Sequence, residues 1–330
     1  MTYDFCTSTF YLYTADFQRL FLHYFGFLAI PVHVYGAYCI IFHTPSSMKS
    51  VKLSLLNFHF FSCFFDLGLS FLTTPYILFP ALAGYPLGVL KDFGVRNEHQ
   101  VYFMLLVGAY MLVAIILVFE NRLLMLVPTV KFWKAFRVPW FIAHLILVTV
   151  FLLPIYSLIP DQEVAKNSIR RIAPCIPLYV NVDLVFILFI ETGLFMRTTG
   201  VLILLGFIET WILAFITNEQ LGKQINLILS KRTVELHRKF QKAFITQLTI
   251  PIIILIIPII YVGVTSLLYF HNQAINNFIV IIVSSHGFFS TIVMICIHVP
   301  YREFTLRWLT VLAHVRMENL SSVRPSNNIT

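Results

Sequence analysis

The stretch YFMLLVGAYMLVAIILVFENRLLMLV, residues 102–127, decides the fold. No charge interrupts it from Tyr102 to Phe119. A helix rising about 1.5 Å per residue needs about 20 apolar residues to cross a hydrocarbon core roughly 30 Å thick. This segment has that length. Six further blocks match it: Leu20–Phe42, Leu53–Leu78, Pro139–Ile159, Thr199–Ile216, Phe244–Leu268 and Phe278–Val299. The composition agrees. The chain has 330 residues, of which 58% are hydrophobic and 12% charged, and its mean hydropathy is +0.83. A soluble domain of this length needs far more polar surface. The expected fold is an all-α membrane protein, a seven-transmembrane-helix bundle. The apolar run Val185–Ile190 is too short to span and reads as part of a loop.

Lys and Arg give the bundle a direction. The loops after segments 1, 3, 5 and 7 hold 16 of them, and the N-terminus with the remaining loops holds 7. Cytoplasmic loops collect positive charge, so the first set is expected inside and the N-terminus outside the cell. The same bias accounts for the net charge of +8, and nucleic-acid binding is not expected. Residues 1–19 then form an extracellular N-terminus and 20–312 the receptor-type domain. Residues 313–330 form a cytoplasmic tail, expected to be disordered. Met1–Phe17 carries Asp4 and Asp16 rather than a basic start, so no cleavable signal peptide is expected. No internal repeat of the transporter kind is evident.

Polar residues inside apolar spans are the candidates for function. Asp66 sits mid-way along segment 2, where a carboxylate costs about 2.5–3.5 kcal/mol to insert. It reads either as a buried switch or ion site, or as a structural clamp. Glu209 in segment 5 could line a ligand cavity or pair with a His or hydroxyl. His286 and Ser290 are four apart in segment 7 and share a helix face. Pro251 and Pro258 each remove a backbone hydrogen bond from segment 6 and favour a kink. Pro31, Pro75 and Pro154 are expected to bend other spans. Glu120-Asn121-Arg122 stands at the inner end of segment 3. Pro300-Tyr301-Arg302 follows segment 7 and opens an amphipathic stretch with Phe304, Trp308 and Leu312 at helical spacing. That stretch reads as a short helix on the inner leaflet. The basic third loop suits an acidic partner or anionic lipid headgroups. No His, Cys and carboxylate set has metal-ligand spacing and no nucleophile–base motif appears. No enzyme, metal or cofactor is therefore expected.

The motifs together resemble the nematode serpentine receptor class H family of seven-transmembrane chemoreceptors. The resemblance is carried by Ile30-Pro-Val-His-Val-Tyr-Gly-Ala-Tyr38, Thr44-Pro-Ser-Ser-Met-Lys-Ser-Val-Lys52 and Pro80-Ala-Leu-Ala-Gly-Tyr-Pro-Leu-Gly88. It continues through Phe119-Glu-Asn-Arg122, Ile159-Pro-Asp-Gln-Glu163, Pro174-Cys-Ile-Pro177 and His298-Val-Pro-Tyr-Arg302. It implies a plasma-membrane receptor of sensory neurons, at their cilia, that detects a small molecule and couples to a heterotrimeric G protein. Glu120-Asn121-Arg122 is similar to the Asp-Arg-Tyr element of rhodopsin-like receptors. It departs from that element, because its acid and Arg lie two apart and are not neighbours on a helix face. The rivals are a seven-span ligand-gated channel, a transporter, and a non-signalling subunit that pairs with a receptor. The sequence allows a homo- or hetero-oligomer.

Cys6 and Cys175 are the two cysteines on the expected outer side, an oxidising compartment, and are expected to be bridged. Peptide mapping under non-reducing conditions should recover them in one linked pair. Two free thiols would refute the bridge.

Overall fold

A computed structural model of the chain describes residues 10–45, 49–126, 131–172, 180–190, 192–225, 231–268 and 270–322. Twelve helices appear there: α1 (Ala15–His43), α2 (Lys49–Leu67), α3 (Val89–Asp92), α4 (Asn97–Leu126), α5 (Lys131–Leu152), α6 (Pro154–Leu158), α7 (Gln162–Ile172), α8 (Thr192–Ile225), α9 (Lys231–Leu268), α10 (Gln273–Ser284), α11 (His286–Ile297) and α12 (Val299–Ser322). Five spans of membrane-crossing length and apolarity lie along α1, α2, α4, α5–α6 and α8. The pair α10–α11 makes another, bent by 41°. Helix α9 carries a shorter apolar stretch, Ile256–Leu268, within the expected block Phe244–Leu268. All seven expected blocks thus overlap helices, six of them over stretches of spanning length once the bent pair is taken as one. Helices α8 and α9 also run well beyond the membrane segments, as the third loop's composition suggests. Cys6 and Cys175 lie outside the described residues.

Two boundaries differ from expectation. Segment 2 does not stay helical to Leu78. A π turn over Gly68–Leu72 closes it, and Pro75 opens a strand instead of bending a helix. The segment's apolar run continues into that strand, so hydropathy alone could not show where the helix stopped. The helix after segment 7 is longer than expected, because α12 continues to Ser322 into the stretch expected to be a disordered tail.

One end of the bundle, here the N-terminal face, carries a small antiparallel sheet. Strands β1 (Pro75–Ile77) and β2 (Leu82–Pro86) form a hairpin, and β3 (Phe186–Phe189), from the run expected to be a loop, pairs with β2. The hairpin is tight. A Cβ at Gly84 would stand 2.2 Å from the Tyr76 carbonyl oxygen, so only glycine fits there. Gln162 extends the sheet with its side chain. Its amide donates to the Ile187 carbonyl at 3.0 Å and its oxygen accepts from the Ile187 N–H at 2.9 Å.

The first turn of α10 holds this lid to the bundle. Gln273 donates to the Ile77 carbonyl at 3.0 Å, Asn276 to that of Phe79 at 3.1 Å and Asn277 to that of Leu12 at 2.8 Å. All three amides are buried, where an unmet carbonyl would be costly. Beneath them Phe79, Leu82, Leu188 and Phe189 pack onto Val113, Leu152 and Val262. At the opposite face, Tyr301 is fully buried and its hydroxyl lies 2.8 Å from Thr44 Oγ1. Thr305 pairs with Tyr35 at 2.8 Å, and Phe304 stacks on His43 at 3.6 Å. These contacts dock the start of α12 on the end of α1.

His271, in the loop before α10, is buried and its Nδ1–H donates to the Phe79 carbonyl at 2.5 Å. Burial holds its pKa below the usual 6.5. The folded chain thus binds that proton less readily than the unfolded one. The stabilisation is complete above about pH 6.5 and is lost as pH falls below it. The thermal midpoint should therefore drop between pH 7.5 and 5, and the drop should be smaller in His271→Gln, which keeps a donor without titrating. Equal slopes in the two proteins would refute this.

Candidate functional site

Segment 7 is broken at Ser285, between α10 and α11. A break in mid-membrane frees backbone N–H groups that a continuous helix would have used. Asp66 of α2 meets them. Its carboxylate accepts from the N–H of Gly287 at 3.1 Å and of Phe288 at 2.8 Å. An anion at a helix N-terminus also answers the helix dipole. His286 Nδ1 stands 2.7 Å from the same carboxylate, and His33 Nε2 of α1 stands 3.4 Å away. The two other contacts of His33 reach segments 7 and 2. Its Nδ1 faces Thr291 Oγ1 at 3.3 Å, and its carbonyl lies 2.9 Å from His59 Nε2. Asp66, His33, His59, His286 and Thr291 are all buried. Gly287 lets the helices approach, since a Cβ there would stand 2.8 Å from Asp66 Oδ2.

A cavity of about 330 Å³ lies beside this latch, walled by α2, α4, α8, α9 and α10 and by Leu152 at the end of α5. Phe65, Met104, Met111, Gly206, Phe207 and Pro258 are among its lining residues. Two of these reach the latch. Met111 Sδ is 3.0 Å from His286 Nε2, and the Phe65 ring meets the His286 ring edge-on at 5.4 Å. A second cavity of about 250 Å³ lies under the sheet. Met104 and Leu105 line both.

A polar knot ties segments 2, 3 and 4 near the other face. Glu120 has no exposed surface. It accepts from Arg137 Nη2 and from Trp133 Nε1, each at 2.8 Å. Arg137 also donates to Asn121 Oδ1 at 2.7 Å, and Asn121 donates to Ser54 Oγ at 2.9 Å. Glu120 is therefore buried inside the bundle, as Asp66 is. Its ion-pair partner is Arg137 of α5. Arg122 is half-buried, close enough to His298 at the end of α11 for their charges to interact.

The expected site residues thus separate into groups. Asp66 and His286 form the latch, and Ser290 is buried one turn further along α11. Glu209 is apart from both cavities and pairs with His144 of α5 at 3.1 Å on the outer side of the bundle. Helix α9 continues through Pro251 and Pro258, and Pro258 lines the larger cavity. Arg302 is exposed, while Tyr301, next to Pro300, is buried against α1. Sequence reasoning passed over His33, His59, Arg137 and Trp133. The signal for the histidines was available: with His286 they put three imidazoles in apolar spans 1, 2 and 7 alongside one acid.

A bundle of membrane-spanning helices with a polar latch, an internal cavity and a docked terminal helix is the architecture of a seven-transmembrane receptor. The family model described as "Serpentine type 7TM GPCR chemoreceptor Srh" matches residues 13–311, and the chain belongs to that family. It is 24% identical over 297 residues to serpentine receptor class H-72 of Caenorhabditis elegans, covering 84% of this chain and 81% of that one.

Removing one partner of a buried pair strands the other charge and costs about 3–5 kcal/mol. Arg137→Ala should lower stability by about that much, and adding Glu120→Gln should recover part of the loss. Thermal unfolding of the detergent-purified proteins measures both. An unchanged midpoint in Arg137→Ala would refute the pairing.

Proposed function

We propose that this chain is a chemosensory G-protein-coupled receptor of the plasma membrane. An external small molecule binds in the larger cavity, and a heterotrimeric G protein reads the result at the face that carries α12. The observation that supports this most is the contact of two cavity-lining side chains, Met111 and Phe65, with His286 of the latch. A ligand acts on a two-state protein only through its different affinity for the two states. An occupant that moves Met111 or Phe65 changes the packing around His286, and with it the bend between α10 and α11. Helix α9 supplies a cavity wall at Pro258 and continues toward the third loop, so a change at the cavity reaches that loop through one rigid element. The exposed Lys223, Arg238 and Lys242 of that region suit an acidic protein surface or anionic headgroups. On this reading the sheet faces outside and the α12 face lies in the cytosol, as the Lys and Arg distribution predicts. Sensory cilia are the expected location.

Arg122 and the third loop would meet the G protein. In cells expressing the chain, a panel of small molecules with a calcium readout should give a response. Arg122→Ala should abolish that response while antibody labelling of intact cells shows unchanged surface expression. An undiminished response in the variant would refute the role of Arg122.

A further inference from the structure

The cavity also defines what it can hold and where its occupant comes from. Among the described residues, no charged one lines it. Thr210, one of its few polar residues, already donates to the Gly206 carbonyl at 2.7 Å. A charged or strongly polar molecule would give up its hydration there and gain little in return. Size narrows the class further. A cavity of about 150 Å³ lined by aliphatic and aromatic side chains binds benzene, and this one is about 330 Å³. An occupant of roughly ten to fourteen heavy atoms is the match in volume.

The route follows from how the cavity is closed. Toward the N-terminal face, Phe79, Leu82 and Leu188 of the sheet region roof the second cavity, and none of them is more than 8% exposed. The wall made by α9 is different. Ile256 and Ile259 line the cavity, while Ile257 and Ile260 of the same stretch are not among its lining residues and are 47% and 59% exposed. One thin stretch of α9 therefore separates the cavity from the bundle's outer surface, which in a membrane is lipid.

We infer that the cavity binds an uncharged, hydrophobic molecule of about naphthalene to biphenyl size, and that this ligand enters from the bilayer past Ile256 and Ile259. This rests on the reading of the cavity as the receptor's ligand site. The ligand's membrane partitioning then sets its local concentration, and binding selects on shape within an apolar wall.

The test is photolabelling of the full-length chain in lipid nanodiscs, scored by peptide mass spectrometry and needing no G protein. The probe is a naphthyl diazirine, compared with a carboxylate-bearing analogue of the same size. The neutral probe should label peptides containing Phe65, Met104 or Met111 at least tenfold more than the analogue does. Gly206→Leu should cut that labelling at least tenfold. A Cβ at Gly206 meets nothing within 4 Å, and leucine favours the helix, so the variant should fold. Ile259→Trp should slow the approach to full labelling several-fold without lowering its final level. Labelling at exposed Trp211 serves as the control for general lipid contact.

Equal labelling by the carboxylate, or labelling that survives in Gly206→Leu, would overturn the assignment of the site. An unchanged rate in Ile259→Trp would overturn the bilayer route. A diazirine-bearing phospholipid that labelled the same residues in place of the free probe would make the cavity a lipid site and overturn the ligand class. A chain that binds the probe as stated but gives no cellular response to any ligand would instead count against the receptor reading alone.

Discussion

A carboxylate caps a broken helix in the middle of the membrane, and the arrangement of the bundle depends on it. The break at Ser285 leaves amide hydrogens with no helical partner, and Asp66 accepts two of them. Each half of the bargain needs the other. Without Asp66 the bend in segment 7 would expose backbone N–H groups to an environment that cannot satisfy them. Without the bend, Asp66 would lack the donors that offset its burial. His33 and His286 complete the shell and bring α1 and α11 to α2. The structure shows Asp66 as a clamp, one carboxylate joined to α1 through His33 and to α11 through His286, Gly287 and Phe288.

The two faces are fixed in different ways. At the N-terminal face the side-chain amides of α10 satisfy carbonyls of the lid, so the sheet is mounted on the upper half of segment 7. At the other face Glu120 and Arg137 lock α4 to α5, and Tyr301 fastens α12 to α1. Between these ties α8 and α9 are anchored by Glu209 to His144 and by Tyr261 to Asn276, and they face the cavity with apolar side chains. Apolar contacts carry no directional requirement, so the cavity-facing side chains can repack at lower cost than the hydrogen-bonded groups. The ends define the frame, and the middle is where a bound molecule could favour another arrangement.

Most of the fold was legible in the sequence because membrane insertion leaves a strong one-dimensional signal. Apolar blocks of spanning length mark the seven spans, and segment 3 does so without any help from motifs. The end of segment 2 was not legible, since Thr73–Leu78 is as apolar as the helix it follows and a buried strand has the same composition. The Glu120-Asn121-Arg122 motif could not name Arg137, which reaches Glu120 across a helix packing interface. The cavity was the least visible feature. Its lining of Phe, Met, Leu and Ile is indistinguishable in sequence from lipid-facing surface, and only the packing of helices decides which apolar residues enclose a space.

The separation between the cavity and the latch has a consequence for how such a protein can change over time. The polar contacts of Asp66 leave little freedom, since Gly287, His286 and His33 must each stay in place for the carboxylate to be satisfied. The cavity wall is under a much looser constraint. Exchanges among Leu, Ile and Met cost little when volume is kept, often below about 1.5 kcal/mol. Mutations there would reshape the space without disturbing the hydrogen-bonded frame. One scaffold can therefore drift from one hydrophobic shape to another by single substitutions, each intermediate still folded and still able to bend. Duplicated copies of such a chain would diverge in what they accept well before they diverged in how they respond.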